Sequence, residues 1–85
     1  MSSYVPEAGT ITMFTTEWCG YCQRLKSQLN RAGIGYREVN IEIEPDAAAE
    51  VERVNEGNRT VPTIVFPDGT AATNPSLAEV TKRLG

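Results

Sequence analysis

The chain has no histidine, only two cysteines, and no stretch in which lysine or arginine gathers. Each shortage removes a class of function. A zinc centre takes four ligands, usually Cys or His, and two cysteines without a histidine cannot supply them. A small secreted fold held by disulfides uses several cysteine pairs, so a single pair points to redox work rather than to a framework. Eight basic residues against eleven acidic ones give a formal net charge of −3, and nucleic acid is not expected as a partner. No apolar run approaches the roughly 20 residues of a membrane-crossing helix, and Met1-Ser2-Ser3-Tyr4-Val5-Pro6-Glu7 lacks the basic-then-apolar pattern of a secretion signal. No membrane role is expected, and the expected location is the cytoplasm. A chain of 85 residues has room for one core, burying about 60 to 65% of the surface its unfolded form exposes.

The apolar residues that are present fall into short periodic groups. Residues 1–9, with Ser, Pro and Gly and no apolar repeat, read as a flexible leader, and residues 10–85 as a single domain. Thr10 to Thr15 is β-branched and aromatic, the mark of a short buried strand. From Gly20 to Ala32 the pattern turns helical: Cys22, Leu25, Leu29 and Ala32 share one face at spacings of 3, 4 and 3, Arg24, Lys26 and Arg31 lie off it, and Gly33 is a suitable stop. A second strand is expected over Tyr36–Ile41 and a second helix from Pro45 to Asn55, with Pro45 at its first position. Val61–Phe66 reads as a third strand, Pro67-Asp68-Gly69-Thr70 as a turn, and Thr70–Thr73 as a fourth strand in hairpin pairing. Asn74 and Pro75 fit the N-cap and first position of a last helix carrying Leu77, Val80 and Leu84. The order βαβαββα predicts an α/β fold, a four-stranded mixed sheet flanked by three helices. Tyr36, Val39, Val51, Val54, Ile64, Phe66, Leu77 and Val80 are the core by periodicity.

Trp18-Cys19-Gly20-Tyr21-Cys22 stands where the first strand gives way to the first helix. A sulfur at the first helical turn faces unpaired backbone N–H groups and the positive end of the helix dipole, which favour thiolate over thiol. Cys19 is therefore expected to be exposed and activated. Cys22, on the apolar stripe, is expected to face the core within bonding reach, and the asymmetry separates a nucleophile from a resolving thiol.

These residues resemble the glutaredoxin family of the thioredoxin fold, and within it the mycothiol-dependent branch, the mycoredoxins. The resemblance rests on Trp18-Cys19-Gly20-Tyr21-Cys22, on Asn58-Arg59-Thr60-Val61-Pro62-Thr63, and on Asp68-Gly69 through Asn74-Pro75-Ser76, and spans Thr10 to the C-terminus. It implies a thioredoxin/glutaredoxin-like fold, with Cys19 as nucleophile, Cys22 as resolving cysteine and Pro62 as a cis-proline whose neighbour Val61 offers backbone groups to a bound thiol. Two features depart from members that use glutathione. Thr15-Thr16-Glu17 stands where a basic residue usually precedes the first cysteine, and Thr73-Asn74-Pro75 replaces a Gly-Gly turn. Glutathione carries two carboxylates, whereas mycothiol is a cysteinyl sugar conjugate with hydroxyls and none. A neutral polar groove suits the latter, with Thr16, Thr60, Thr73, Asn74 and Ser76 as partners and Trp18 or Tyr21 as an apolar wall.

The expected activity is thiol–disulfide exchange that removes mycothiol from mixed disulfides by a monothiol route. No cofactor is bound, and mycothiol is the reducing co-substrate. The implied partners are S-mycothiolated proteins such as peroxidases and, indirectly, a mycothiol disulfide reductase, with the chain acting as a monomer. Two rivals differ in class: a thioredoxin-like dithiol reductase of protein disulfides, and a scaffold bridging a [2Fe–2S] cluster through Cys19 of two subunits. Plainer readings compete for single residues. Trp18 and Tyr21 serve packing as readily as contact, Arg59 reads as an ordinary exposed cation, and Glu42, Glu44, Asp46, Glu50 and Glu52 read as a solvated helix start.

Overall fold

The computed structural model describes residues 4–84. Its elements are β1 (Thr10–Thr15), α1 (Gly20–Ala32), β2 (Gly35–Asn40), α2 (Pro45–Val54), β3 (Thr63–Val65), β4 (Ala71–Thr73) and α3 (Leu77–Leu84), the order expected from the sequence. The sheet runs β2-β1-β3-β4. β1 pairs parallel with β2 and antiparallel with β3, and β3 pairs antiparallel with β4. The parallel pair is joined through α1, whose stop is the one expected: Gly33 takes a left-handed φ of 73° that an L side chain adopts at a cost, and its N–H reaches the Leu29 and Asn30 carbonyls.

Strand alternation divides the core between the two sheet faces. Ile11 and Met13 of β1 and Ile64 of β3 meet Cys22, Leu25 and Leu29 of α1 and Val80 of α3. Phe14 and Val65 point the other way, against Val39 and the Ala47, Ala48 and Val51 stripe of α2. Three of the residues assigned to the core by periodicity, Tyr36, Val54 and Leu77, are only half-buried, and Ala32 at the frayed end of the α1 stripe is exposed.

Several boundaries move for identifiable reasons. β3 covers three residues rather than the six expected: Pro62 has no N–H to give a ladder, so the strand begins only after it, and Phe66 leaves it for the turn, its N–H donated to the Thr70 carbonyl at 2.8 Å. The last helix is not capped by Asn74. Asn74 stays in the hairpin, its N–H donated to the Pro62 carbonyl at 2.7 Å, and takes a φ of 48° that asparagine tolerates. Ser76 caps instead, its Oγ accepting the Glu79 N–H at 3.1 Å.

The expected leader over residues 1–9 falls in part outside the described residues. Of the remainder, Tyr4 is buried, its ring edge-on to Phe14 at 5.2 Å, and its carbonyl accepts the Thr12 hydroxyl at 2.6 Å. Packed structure therefore begins at least six residues before Thr10. The leader's lack of periodicity hid this, because one aromatic anchors it and one residue has no period.

A polar tie joins α1 to β2. Glu38 accepts from Lys26 Nζ and from the buried Thr15 hydroxyl, each at 2.9 Å. Burial alone would push the Glu38 carboxyl up; the Lys26 and Thr15 hydrogen bonds outweigh it and hold the group below its ordinary value. A carboxyl whose folded value is depressed adds stability above its unfolded value and loses it as pH falls through the folded one. Glu38→Gln is expected to cost about 1 kcal/mol at neutral pH, discounted for partial exposure, or roughly 4–8 °C in Tm. The gap between variant and parent should close below about pH 4, which thermal melts across pH will check.

Candidate active site

The sheet register assembles the site at one end of β1. Thr15 pairs with Asn40 and its carbonyl takes the Ile41 N–H at 3.0 Å, which carries the turn after β2 to that end. Phe14 pairs with Thr63, so residues 60–62, just before β3, arrive from the other side. Between them the chain leaves β1, turns with the Cys19 N–H on the Thr16 carbonyl at 3.4 Å, and enters α1. The crevice beyond the C-terminal end of parallel strands, where the chain diverges to either side, is the usual binding position of an open α/β sheet.

Cys19 is the N-cap of α1. Its backbone is extended and its Sγ accepts the Cys22 N–H at 3.1 Å. The first helical turn holds no acidic residue to offset the dipole, so the position favours negative charge on sulfur once the pair is reduced. Cys19 and Cys22 are joined in a disulfide. The expectation that Cys19 is exposed fails in this oxidised state: it is 4% accessible and Cys22 is fully buried. The physical reason is the cap itself. Its geometry turns the sulfur onto the Cys22 N–H at the helix start, and the Val61 carbonyl oxygen lies 3.8 Å from it. The Val61–Pro62 peptide is cis, as the resemblance implied. Pro62 is buried and Val61 half-buried.

The two flanks of the disulfide differ. On one, Tyr21, Arg24, Leu25 and Gln28 of α1 face Asn74-Pro75-Ser76-Leu77 across a groove of about 280 Å³. On the other, Trp18 stands exposed with its indole N–H donated to Glu42 Oε2 at 3.2 Å.

Comparison with known proteins decides the family. The chain matches the Glutaredoxin family over residues 11–70. It belongs to that family. It is 54% identical over 74 residues to a provisionally named glutaredoxin of Mycobacterium tuberculosis H37Rv, covering 87% of this chain and 88% of that protein. Mycoredoxin 1 of Corynebacterium glutamicum is 40% identical over 74 residues, covering 87% of this chain and 91% of that one. Among solved structures, the glutaredoxin of Methanosarcina mazei Go1 superposes with a TM-score of 0.77 at 25% identity, over 92% of this chain and 80% of that one. The chain is a glutaredoxin-type thiol–disulfide oxidoreductase with the thioredoxin-like fold.

For this glutaredoxin the structure brings Cys19, Cys22, Val61 and Pro62 together, and sets Tyr21 and Asn74 in the groove. It does not gather all the hydroxyls expected there. The Thr16 hydroxyl is buried with no partner, Thr60 Oγ1 donates to Asn58 at 2.7 Å, and Thr73 Oγ1 donates to Asn55 at 2.6 Å. Trp18 takes the opposite flank. Arg24 and Gln28 line the groove unforeseen, although positions 21, 24, 25 and 28 repeat at helical spacing and run from the motif along one face.

Proposed function

We propose that this glutaredoxin removes mycothiol from mixed disulfides, with Cys19 as the nucleophile and mycothiol as the recycling thiol. The Cys19 thiolate attacks the mycothiol sulfur, the substrate leaves as a thiolate that takes up a proton, and mycothiol stays bonded to Cys19. A second mycothiol thiolate attacks that sulfur, forming mycothiol disulfide and restoring the Cys19 thiolate. In this route Tyr21 and Asn74 border the bound thiol, the Thr60-Val61-Pro62 segment presents its backbone to it, and Trp18 shields the sulfur from the far side.

The observation that carries the choice of thiol is the shortage of available cations around the sulfur among the described residues. Arg59, next to Thr60, is held by Glu52 at 2.6 Å, and Thr16-Glu17-Trp18 puts a carboxylate, not a cation, ahead of Cys19. Among the described residues Arg24 is the one cation lining the groove, beside Gln28, Asn74 and Ser76. A thiol with two carboxylates finds one positive partner there, whereas hydroxyls and amides find several neutral ones. The identity to Mycoredoxin 1 supports the same choice.

One observation favours a second route. The Cys19–Cys22 bond makes a dithiol cycle available, with Cys22 displacing the bound thiol and an outside dithiol reducing the pair. Recycling one defined mixed disulfide with mycothiol, glutathione or a thioredoxin reductase in turn separates these readings. Mycothiol is expected to support turnover at least about tenfold better than glutathione, a difference of about 1.4 kcal/mol. Equal turnover with both overturns the choice of thiol.

A further inference from the structure

Among the described residues the large apolar side chains left exposed are Trp18, Tyr21 and Ile43, at 73%, 66% and 69%. Scattered exposed apolar residues are ordinary, but Trp18 and Tyr21 stand on either side of Cys19 in the chain, and Ile43 lies in the turn whose Glu42 holds the Trp18 indole. Tyr21 belongs to the groove. Trp18 and Ile43 belong to the other flank, because the Trp18 indole is held by Glu42 and Ile43 follows it in the chain. The turn is fixed rather than loose. Asn40 Oδ1 accepts the Glu42 N–H at 2.8 Å, and the Asn40 carbonyl accepts the Ile43 and Glu44 N–H groups at 3.2 and 3.1 Å. A fixed turn pins the backbone from which the Ile43 side chain meets solvent, so ordering it on binding costs little.

The charge on this flank has one sign. Residues 16–18 and 41–46 include Glu17, Glu42, Glu44 and Asp46 and no basic residue. The Tyr4 phenol beneath is pushed up by burial and then by Glu44 and Asp46, with Arg37, over the Tyr4 ring at 5.3 Å, opposing them.

We propose that the Trp18–Glu42–Ile43 surface docks the protein half of a mixed disulfide, and that it selects a cysteine flanked by an apolar residue and by lysine or arginine. The apolar neighbour packs on Trp18 and Ile43, and the basic neighbours meet Glu17 and Glu44. A mixed disulfide has two ends, and the flanks differ in kind: a polar groove for a small thiol, an acidic apolar surface for polypeptide. The proposal rests on disulfide exchange at Cys19 but not on which small thiol is used.

Two short peptides test it, each with one cysteine capped as a β-hydroxyethyl mixed disulfide, one with leucine and lysines around the cysteine and one with leucine and glutamates. The second-order rate constant for each with the reduced protein is read by acid quench and mass spectrometry, against bis(hydroxyethyl) disulfide as a scale. At about 20 mM salt the cationic peptide is expected to react about tenfold faster than the anionic one, falling below about threefold near 0.5 M. The double variant Glu17→Lys, Glu44→Lys should invert the order, and Ile43→Ser should slow both peptides about fivefold relative to the small disulfide. Equal peptide rates, or a preference that survives the charge reversal, overturn the docking surface while leaving exchange intact. Absence of reaction with all three disulfides overturns the exchange reading of Cys19 itself.

Discussion

With Cys19 replaced by serine, exchange with a mixed disulfide is expected to fall to the uncatalysed rate, a loss of at least about 10³-fold or about 4 kcal/mol. A serine hydroxyl at the same N-cap remains protonated at neutral pH and is a far weaker nucleophile than a thiolate. Cys22 cannot take its place. Cys22 is fully buried on the inner face of α1, where desolvation opposes ionisation. Cys22→Ser should behave differently, retaining turnover within about tenfold of the parent. The 3.1 Å contact to the Cys19 sulfur comes from the Cys22 backbone N–H, so on the proposed route the substitution removes the resolving sulfur without removing the donor to the nucleophile. Steady-state turnover on one mixed disulfide, with mass spectrometry to trap mycothiol on Cys19 in the Cys22→Ser protein, checks both halves. Loss of activity in both variants would move the mechanism to the dithiol route. In the Cys22→Ser protein, the pH profile of Cys19 alkylation should show its midpoint below the ordinary thiol range, because the helix start favours the anion.

How far the residues spoke for themselves depends on the kind of signal each carries. β1, α1 and the helix stop at Gly33 were legible because apolar spacing and a left-handed glycine are local properties. The Thr60-Val61-Pro62 loop was legible only beside the cysteine motif; its nearness to Cys19 comes from the pairing of Phe14 with Thr63, which no local pattern encodes. The same holds for Glu42. It read as part of a solvated acidic helix start, yet the register of Thr15 with Asn40 brings its turn to Trp18 and turns one carboxylate into the indole's partner. Cys19 misled in the opposite direction. Cys19 stands at the helix start as its sequence position predicts, but the N-cap geometry that favours a thiolate also sets the sulfur inward, so nearness to the helix start does not entail exposure. Asn74-Pro75 was a sound local cap signal that lost to the hairpin, because Asn74 closes it with a φ of 48° and not with the extended backbone an N-cap takes.

Phe14→Ala is expected to be the most damaging single change outside the cysteines. Phe14 is fully buried in the central strand, and its removal leaves a cavity between Tyr4, the α2 stripe and Val39. Truncating a buried phenylalanine costs about 3–5 kcal/mol, a large part of the roughly 5–15 kcal/mol that holds a domain together, and small domains sit near the lower end. Tm should fall by at least about 12 °C. Tyr4→Ala tests the same cluster from its other side: a tail that packed on nothing would leave Tm unchanged, whereas loss of the ring that meets Phe14 at 5.2 Å should cost about 2 kcal/mol, or roughly 8–16 °C. Neither substitution touches the sulfurs, so kcat/KM measured well below each variant's Tm should stay within about twofold of the parent. The two effects are also expected to be less than additive in the double variant, since once Phe14 is gone the Tyr4 ring has lost the edge-on partner against which it packs.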